Sequence, residues 1–400
     1  MTFLKDFSVS AAIAGFVSVL VGFTGAGVIV FQAAQSVGAS PAEIGSWFWA
    51  LGWGMGLTGI ILSLKYRTPI VMAWSTPGAA MLVTTTADVT LQEATGAFMV
   101  CAALIVLFGI TGWFEQLMDR LPLSLASAML AGVLLQFGLN VFTAMQTQFV
   151  LVFAMFCGFL LMRRISPRYA VITVLGLGTL IASVQGLLRL ETVQLQWATP
   201  VVVAPRFSIS VLLGMAIPLF IVTMASQNVP GVATIRAFGY QVPTSPLISW
   251  SGMACLILAP FGAFAINLAA ITAAISMGRE AHEDPDKRYV AAVMVGVFYI
   301  VVGLFGATVV ELFSALPQEL VVAIAGLALF GTIGKGLVTA LTHEKEREPA
   351  LITFLATASG ISLFGIGSAF WGLLAGGLAT LVAQLNNVNT NSMKKTHANH

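Results

Sequence analysis

Three apolar stretches hold the polar and helix-breaking residues that could do chemistry. They read PIVMAWSTPGAAMLVTT (69–85), PFGAFAINLAAITAAIS (260–276) and IVTMASQNVPG (221–231). The first two open on proline and place a potential helix-capping side chain at the same later position, Thr76 in one and Asn267 in the other. Such side chains accept hydrogen bonds from the exposed N–H groups of a first helical turn. Pro77 follows at the position where a missing N–H costs nothing. AAML and LAAITAAI beyond the caps form helix well, whereas PIVMAW and PFGAFAI before them read as short extended segments. Each stretch is therefore expected to be half strand and half helix. Residues 76–87 would make a half-helix about 16 Å long, half of a bilayer core. A pair of ordinary Pro/Gly-kinked helices is the alternative.

Two half-helices whose N-termini meet at mid-depth would offer unpaired N–H groups and partial positive charge. The backbone around Thr76, Pro77 and Gly78 and around Asn267 and Leu268 would then hold an anion without any lysine or arginine. In the third stretch, Thr223, Gln227 and Pro230 share one helical face, with Ser226 beside them and Asn228 next in sequence. Pro230 frees the carbonyl of Ser226, and the two amides supply donors and acceptors but no charge. Polar glue between helices is the other reading. Trp74 and Phe264 precede the caps, and Phe23 and Thr24 lie in the first apolar run beside Gly22, Gly25 and Gly27. An aromatic pocket with one anion anchor suits a small aromatic or branched carboxylate, although such rings also serve plain packing.

No Asp, Glu, Lys, Arg or His falls deep in an apolar run. A buried carboxylate would repel an anion, and its absence removes the usual intramembrane proton relay. Asp88 and Glu93, at span ends, are the candidates for handling a proton. The histidines (His282, His343, His397, His400) lie in polar loops or the tail, and Cys101, Cys157 and Cys255 lie in separate apolar stretches. Neither set suggests a metal site, a disulfide set or a nucleophile, so no cofactor, no metal and no enzymatic activity are expected. Nothing suggests a nucleic-acid partner.

The elements that position these residues are membrane spans. The 400 residues are 58% hydrophobic and 8% charged, far from soluble composition. The fold expected is an all-α polytopic membrane protein of fourteen transmembrane segments, with spans 3 and 10 each a short strand plus half-helix. With that count, only Arg189 and Arg206 among the basic residues leave one side of the bilayer, which the positive-inside rule makes cytoplasmic for both termini. Seven spans fall on each side of the loop at 189–206, so residues 1–195 and 196–400 would form two inverted seven-span repeats. VGASPAEIGSW (37–47) echoes FGYQVPTSPLISW (238–250), and LPLSLASAMLAG (121–132) echoes LPQELVVAIAG (316–326). Shared membrane composition alone could produce such echoes.

SQNVPG, AINLAAITAAI and the loop GREAHEDPDKR together resemble the benzoate transporter (BenE) family of bacterial inner-membrane proteins, over essentially the whole chain. That family is regarded as aromatic acid:proton symporters and is distantly similar to nucleobase/ascorbate and SulP anion transporters. The resemblance implies uptake of benzoate or a similar small aromatic carboxylate with protons, by alternating access. It implies a core domain of spans 1–4 and 8–11 carrying the site and a gate domain of spans 5–7 and 12–14 with a possible homodimer surface. It places the site at Thr76, Pro77, Gly78, Asn267 and Ser226–Asn228. Nucleobase transporters carry a glutamate on the eighth span where Ser226 stands, a departure that argues against a nucleobase. A small-anion exchanger or channel and a nucleobase transporter remain the alternatives.

Overall fold

The computed structural model describes residues 5–85, 89–114, 123–189, 191, 193–279, 281–361, 363 and 368–397. Seven described helical segments are long and apolar enough to cross a membrane: Pro41–Tyr66, Leu91–Thr111, Leu123–Ala144, Ile209–Arg236, Thr244–Phe261, Pro285–Leu304 and Gln318–Leu341. The first helix, α1 (Val9–Ser36), makes an eighth if its two arms, bent by 43°, count as one span. The fourteen expected crossings are thus not fourteen long helices. Two of the stretches expected to cross are strand-plus-helix, and others, such as Ala170–Val184, are shorter apolar helices.

In chain order, α1 is followed by α2 (Pro41–Tyr66), β1 (Met72–Trp74), α3 (Thr76–Thr85), α4 (Leu91–Thr111), α5 (Leu123–Ala144), α6 (Phe149–Ile165) and α7 (Ala170–Val184). An extended segment then leads to α8 (Ile209–Arg236), α9 (Thr244–Leu258), β2 (Ile266–Leu268), α10 (Ile271–Met277), α11 (Tyr289–Leu304), α12 (Gly306–Ala315), α13 (Gln318–Leu341), α14 (Arg347–Ala358) and α15 (Ser368–His397). β1 and β2 pair antiparallel at the centre, with Ala73 opposite Asn267. α2 packs along α11 and α9 along α4, while α5 packs on α13 and α14. One apolar cluster joins α1–α4 with α8–α11 and takes in parts of α5 and α13, and a second joins the ends of α5 and α13 with α6 and α7.

Glycine sets the tightest helix contact. A Cβ on Gly52 would stand 2.6 Å from the Tyr299 carbonyl oxygen, and one on Gly56 would stand 2.5 Å from that of Gly296. Small residues let helices without a strong hydrophobic drive approach closely and gain dispersion energy.

The two ends of the molecule are tied differently. At one end, Asp6 Oδ2 accepts from Arg67 Nη2 (2.9 Å) and from Tyr289 OH (2.8 Å), joining the starts of α1 and α11 to the end of α2. Nearby, the buried guanidinium of Arg288 donates to the carbonyls of Met277 (2.9 Å), His282 (2.8 Å) and Glu283 (3.3 Å). The Met277 carbonyl ends α10, where a cation is favoured by the helix dipole. The Asp284 carboxyl in this loop is held below the usual range by the Asp286 N–H and by Lys287. Arg288→Met is expected to cost about 2–4 kcal/mol, because one buried and two part-buried carbonyls lose a charged donor. Thermal unfolding of the detergent-purified variant checks this; an unchanged midpoint refutes it.

At the opposite end, the extended segment lies across helix ends. Val201 N–H donates to Ser46 Oγ (2.9 Å), Ala198 N–H to the Leu304 carbonyl (2.8 Å) and Arg206 N–H to the Gln92 carbonyl (2.9 Å). The loop expected between the two halves is therefore a strap fixed to α2, α11 and the start of α4.

Candidate functional site

The strand-plus-half-helix reading holds, but its details move. The cap of α3 is Ser75, whose Oγ accepts from Gly78 N–H (3.0 Å), while its carbonyl accepts from Ala79 N–H (2.8 Å). Thr76 is thus the first helical residue and not the cap, and Pro77 is the second. Asn267 is not a cap either. It lies in β2, four residues before α10, and its Nδ2 donates to the Ala265 carbonyl (2.9 Å). The extended segment expected at 260–266 starts later because Gly262, at φ 100°, turns the chain after a 3-10 turn at Ala259–Phe261. In the ladder Asn267 stands opposite Ala73, and not Thr76.

This shift occupies the N–H groups expected to bind an anion on the second side. Ser75 N–H donates to the Ala265 carbonyl (3.1 Å) and Ala269 N–H to the Val71 carbonyl (2.9 Å). Bonded pairs alternate along an antiparallel ladder, so the Asn267 N–H falls to Ala73. The Leu268 N–H donates to Asn228 Oδ1 (3.0 Å).

That last bond joins the third stretch to the strands. α8 contains two π-helical stretches, Leu212–Ala216 and Met224–Asn228, and the second coincides with MASQN. Val229 N–H reaches back five residues to the Met224 carbonyl, the widened turn expected where Pro230 lacks a donor. Asn228 is fully buried, with its Nδ2 3.3 Å from Met224 Sδ. Gly231 lets the helix touch β2: a Cβ there would stand 2.6 Å from Leu268 Cβ. Gly78 does the same for α3 against α8, since its Cβ would meet Leu219 Cδ1 at 2.5 Å.

Two side-chain atoms at this junction are fully buried without a hydrogen-bond partner, Asn267 Oδ1 and Thr223 Oγ1. Buried polar groups are normally satisfied, so such atoms call for a reason. Gln227, one helical turn after Thr223, is half-buried and its amide forms no hydrogen bond among the described residues. Ser226 Oγ and Thr24 Oγ1 are turned back onto their own helices, bonding the carbonyls of Val222 and Leu20. They present less free polarity than the sequence suggests.

Of the predicted aromatic residues, Phe23 and Trp74 meet edge to face at 5.3 Å. Phe264 belongs elsewhere, packed between Trp47 (5.5 Å) and Phe98 (5.6 Å) behind β2. Sequence reading passed over Phe313 and Phe48, which complete the cluster around Phe23. Their only signal is aromatic type in an apolar run. Glu93 is half-buried and forms a capping box with Thr90, accepting from its N–H (3.1 Å) and Oγ1 (2.8 Å). Asp88 lies outside the described residues.

A cavity of about 980 Å³ opens near these rings, at the end opposite Asp6 and Arg67. Phe31, Gln35 and Thr84 line one wall, Gln136 and Asn140 of α5 face them, and Phe313 lies at its edge. Among the described residues, no charged side chain and none of the predicted site residues lines it.

Comparison with known proteins gives one answer. The family model for benzoate membrane transport proteins (BenE) matches residues 5–382. The inner membrane protein YdcO of Escherichia coli (strain K12) is 48% identical over 93% of this chain and 95% of its own. The benzoate membrane transport protein of Acinetobacter baylyi is 43% identical over 95% and 97%. Among solved structures, SLC26A9 shares the fold with a TM-score of 0.63 at 14% identity, over 96% of this chain and 67% of that one. The transmembrane domain of the cyanobacterial bicarbonate transporter BicA does so at 0.53 and 13%, over 94% and 97%. The chain belongs to the benzoate membrane transport protein family, a family of membrane transporters and not of enzymes.

Proposed function

We propose that the protein takes up benzoate or a similar small aromatic carboxylate by proton symport with alternating access. The observation that carries this is the junction of β1, β2 and the π-helical turn of α8. There, non-helical backbone is buried at mid-chain depth beside the unpartnered Asn267 Oδ1 and the free Gln227 amide. Irregular backbone inside a membrane is tolerated where protein or a cavity surrounds it, the habit of transporter sites. The ring of the substrate would lie against Trp74 and Phe23, and its carboxyl group between Asn267, Gln227 and the start of α3 at Thr76–Gly78.

The geometry also suggests where the proton travels. The sequence puts no Asp, Glu, Lys, Arg or His in the stretches that form the junction, and Glu93 is committed to capping α4. An unpartnered buried acceptor suits a protonated carboxylic acid, which would donate its O–H to Asn267 Oδ1. The proton would then ride on the substrate itself.

Fourteen crossings in two inverted repeats form part of the proposal. The order of elements supports it, with β1–α3 and β2–α10 third in their halves. So does the mirrored packing of α2 on α11 and α9 on α4. The division into core and gate, with both termini cytoplasmic, follows the two apolar clusters and the basic loops.

Uptake of labelled benzoate into proteoliposomes under an imposed pH gradient tests the function. Saturable, gradient-driven uptake is expected; sulfate or chloride flux without benzoate uptake would establish the small-anion alternative instead. Asn267→Ala and Gln227→Ala should each raise KM about tenfold, equivalent to one lost hydrogen bond to a bound acid. Unchanged kinetics in both would refute the site. Benzenesulfonate, which stays ionised, should compete poorly if the protonated acid is the species bound.

A further inference from the structure

The mouth of the cavity and the junction are separated by aromatic rings. Phe313, on the short helix α12, lies parallel to Phe23 at 6.4 Å with only 5° between the planes. It also touches Phe31 at 5.6 Å and Phe48 at 6.2 Å. Phe31 and Phe313 line the cavity, while Phe23 does not. On its far side Phe23 meets Trp74, which ends β1 immediately before the Ser75 cap. A ladder of two ring contacts, Phe313–Phe23–Trp74, therefore connects the open cavity to the strand junction.

Glycine makes the ladder possible. A Cβ on Gly27 would stand 3.0 Å from the Phe23 ring and 3.2 Å from Phe313 Cζ, so any larger residue would push the stack off α1. Much of the remaining cavity wall comes from α5, α13 and α14, which belong to neither strand-bearing helix pair, and the ends of α1 and α3 add to it.

We propose that Phe313 is a specificity-determining residue: it closes the path from the cavity to the junction and admits an aromatic carboxylate in preference to an aliphatic one. This rests on the transport reading above. Passage requires the Phe313 ring to leave Phe23. An incoming aromatic ring replaces the contact that Phe23 loses, whereas a saturated ring of the same size does so less well. The described residues of the wall carry no charge, so they neither repel the carboxylate nor trap it. Selection thus falls on the ring at the gate, before the carboxyl group reaches Asn267.

Two measurements on the full-length protein test this. The first compares uptake of benzoate and cyclohexanecarboxylate. Phe313→Leu and Phe313→Ala should each reduce the preference for benzoate by about tenfold, within the range that one lost ring contact gives. The second needs no transport. In a Cys157→Ser background, Thr76→Cys is labelled from outside intact cells with a membrane-impermeant maleimide. Adding Phe313→Ala or Phe313→Leu should speed labelling several-fold, and Phe313→Trp should slow it. Labelling and substrate preference that ignore residue 313 overturn the gate even if benzoate uptake is normal. Absent benzoate uptake by the unsubstituted protein, with labelling still governed by residue 313, overturns the transport reading and the selectivity assigned to the gate.

Discussion

Asn228→Leu will abolish most benzoate uptake while leaving the protein folded. The substitution keeps the γ-branched shape of a fully buried side chain, at a larger volume, but removes the oxygen that accepts from Leu268 N–H at 3.0 Å. That N–H is then buried without an acceptor, at a cost of about 1–3 kcal/mol. A large membrane protein tolerates a loss of that size. The candidate site should not, because among the described residues this is the side-chain hydrogen bond that fixes the π-helical turn of α8 against β2. A fall in uptake of at least about tenfold is expected, following the usual penalty for misplaced binding groups. Asn228→Asp separates the two roles of the residue. Its carboxyl oxygen still accepts from Leu268, so the bond to β2 should survive, yet a carboxyl group buried there carries a desolvation cost that the amide does not, and transport should not return. Uptake kinetics with a thermal-stability measurement on both variants decide the matter. Wild-type kinetics for Asn228→Leu would show that the bond is only packing.

Gly231→Ala will destabilise the protein although alanine is the better helix former. Alanine normally gains up to about 1 kcal/mol over glycine inside a helix. Here the added Cβ would stand 2.6 Å from Leu268 Cβ and 2.9 Å from its carbonyl oxygen. Neither neighbour yields, since one sits on a strand backbone and the other is that backbone. Overpacking costs about 1–3 kcal/mol and should win. The displaced helix would also carry Gln227 and Asn228 away from Asn267, so uptake should fall with stability. Gly377→Ala on α15 serves as the control, because nothing lies within 4 Å of its added Cβ. It should be neutral or slightly stabilising. Equal behaviour of the two variants in thermal unfolding would contradict the packing argument.

Much of the site was legible in the sequence because its signals are local. Proline followed by a small polar residue and a helix-forming run marks a strand-to-helix change wherever it occurs, and both β1–α3 and β2–α10 were found this way. Pro230 with Ser226, Gln227 and Asn228 marked the break in α8 that became the π-helical turn. The pairing of Phe23 with Trp74 was reachable as well, since both flank the same features.

Register was not legible. Which residue caps α3 depends on where the chain leaves the ladder with β2, and that moved the cap from Thr76 to Ser75. Asn267 looks like a cap in isolation, yet its place opposite Ala73 makes it a strand residue with one unpartnered atom. Phe264 and Phe313 are the same residue type in similar apolar runs. Packing sent the first behind β2 with Trp47 and the second to the edge of the cavity beside Phe23.

By itself the sequence determined a chain made for a membrane, two interrupted crossings and an uncharged polar turn, since composition and neighbouring residues suffice for those. The tertiary structure alone decided which N–H groups are free, because hydrogen bonds such as Leu268 to Asn228 join residues far apart in the chain. It decided for the same reason which rings meet. Contacts of that kind depend on how helices and strands settle against one another, and no local pattern carries that information.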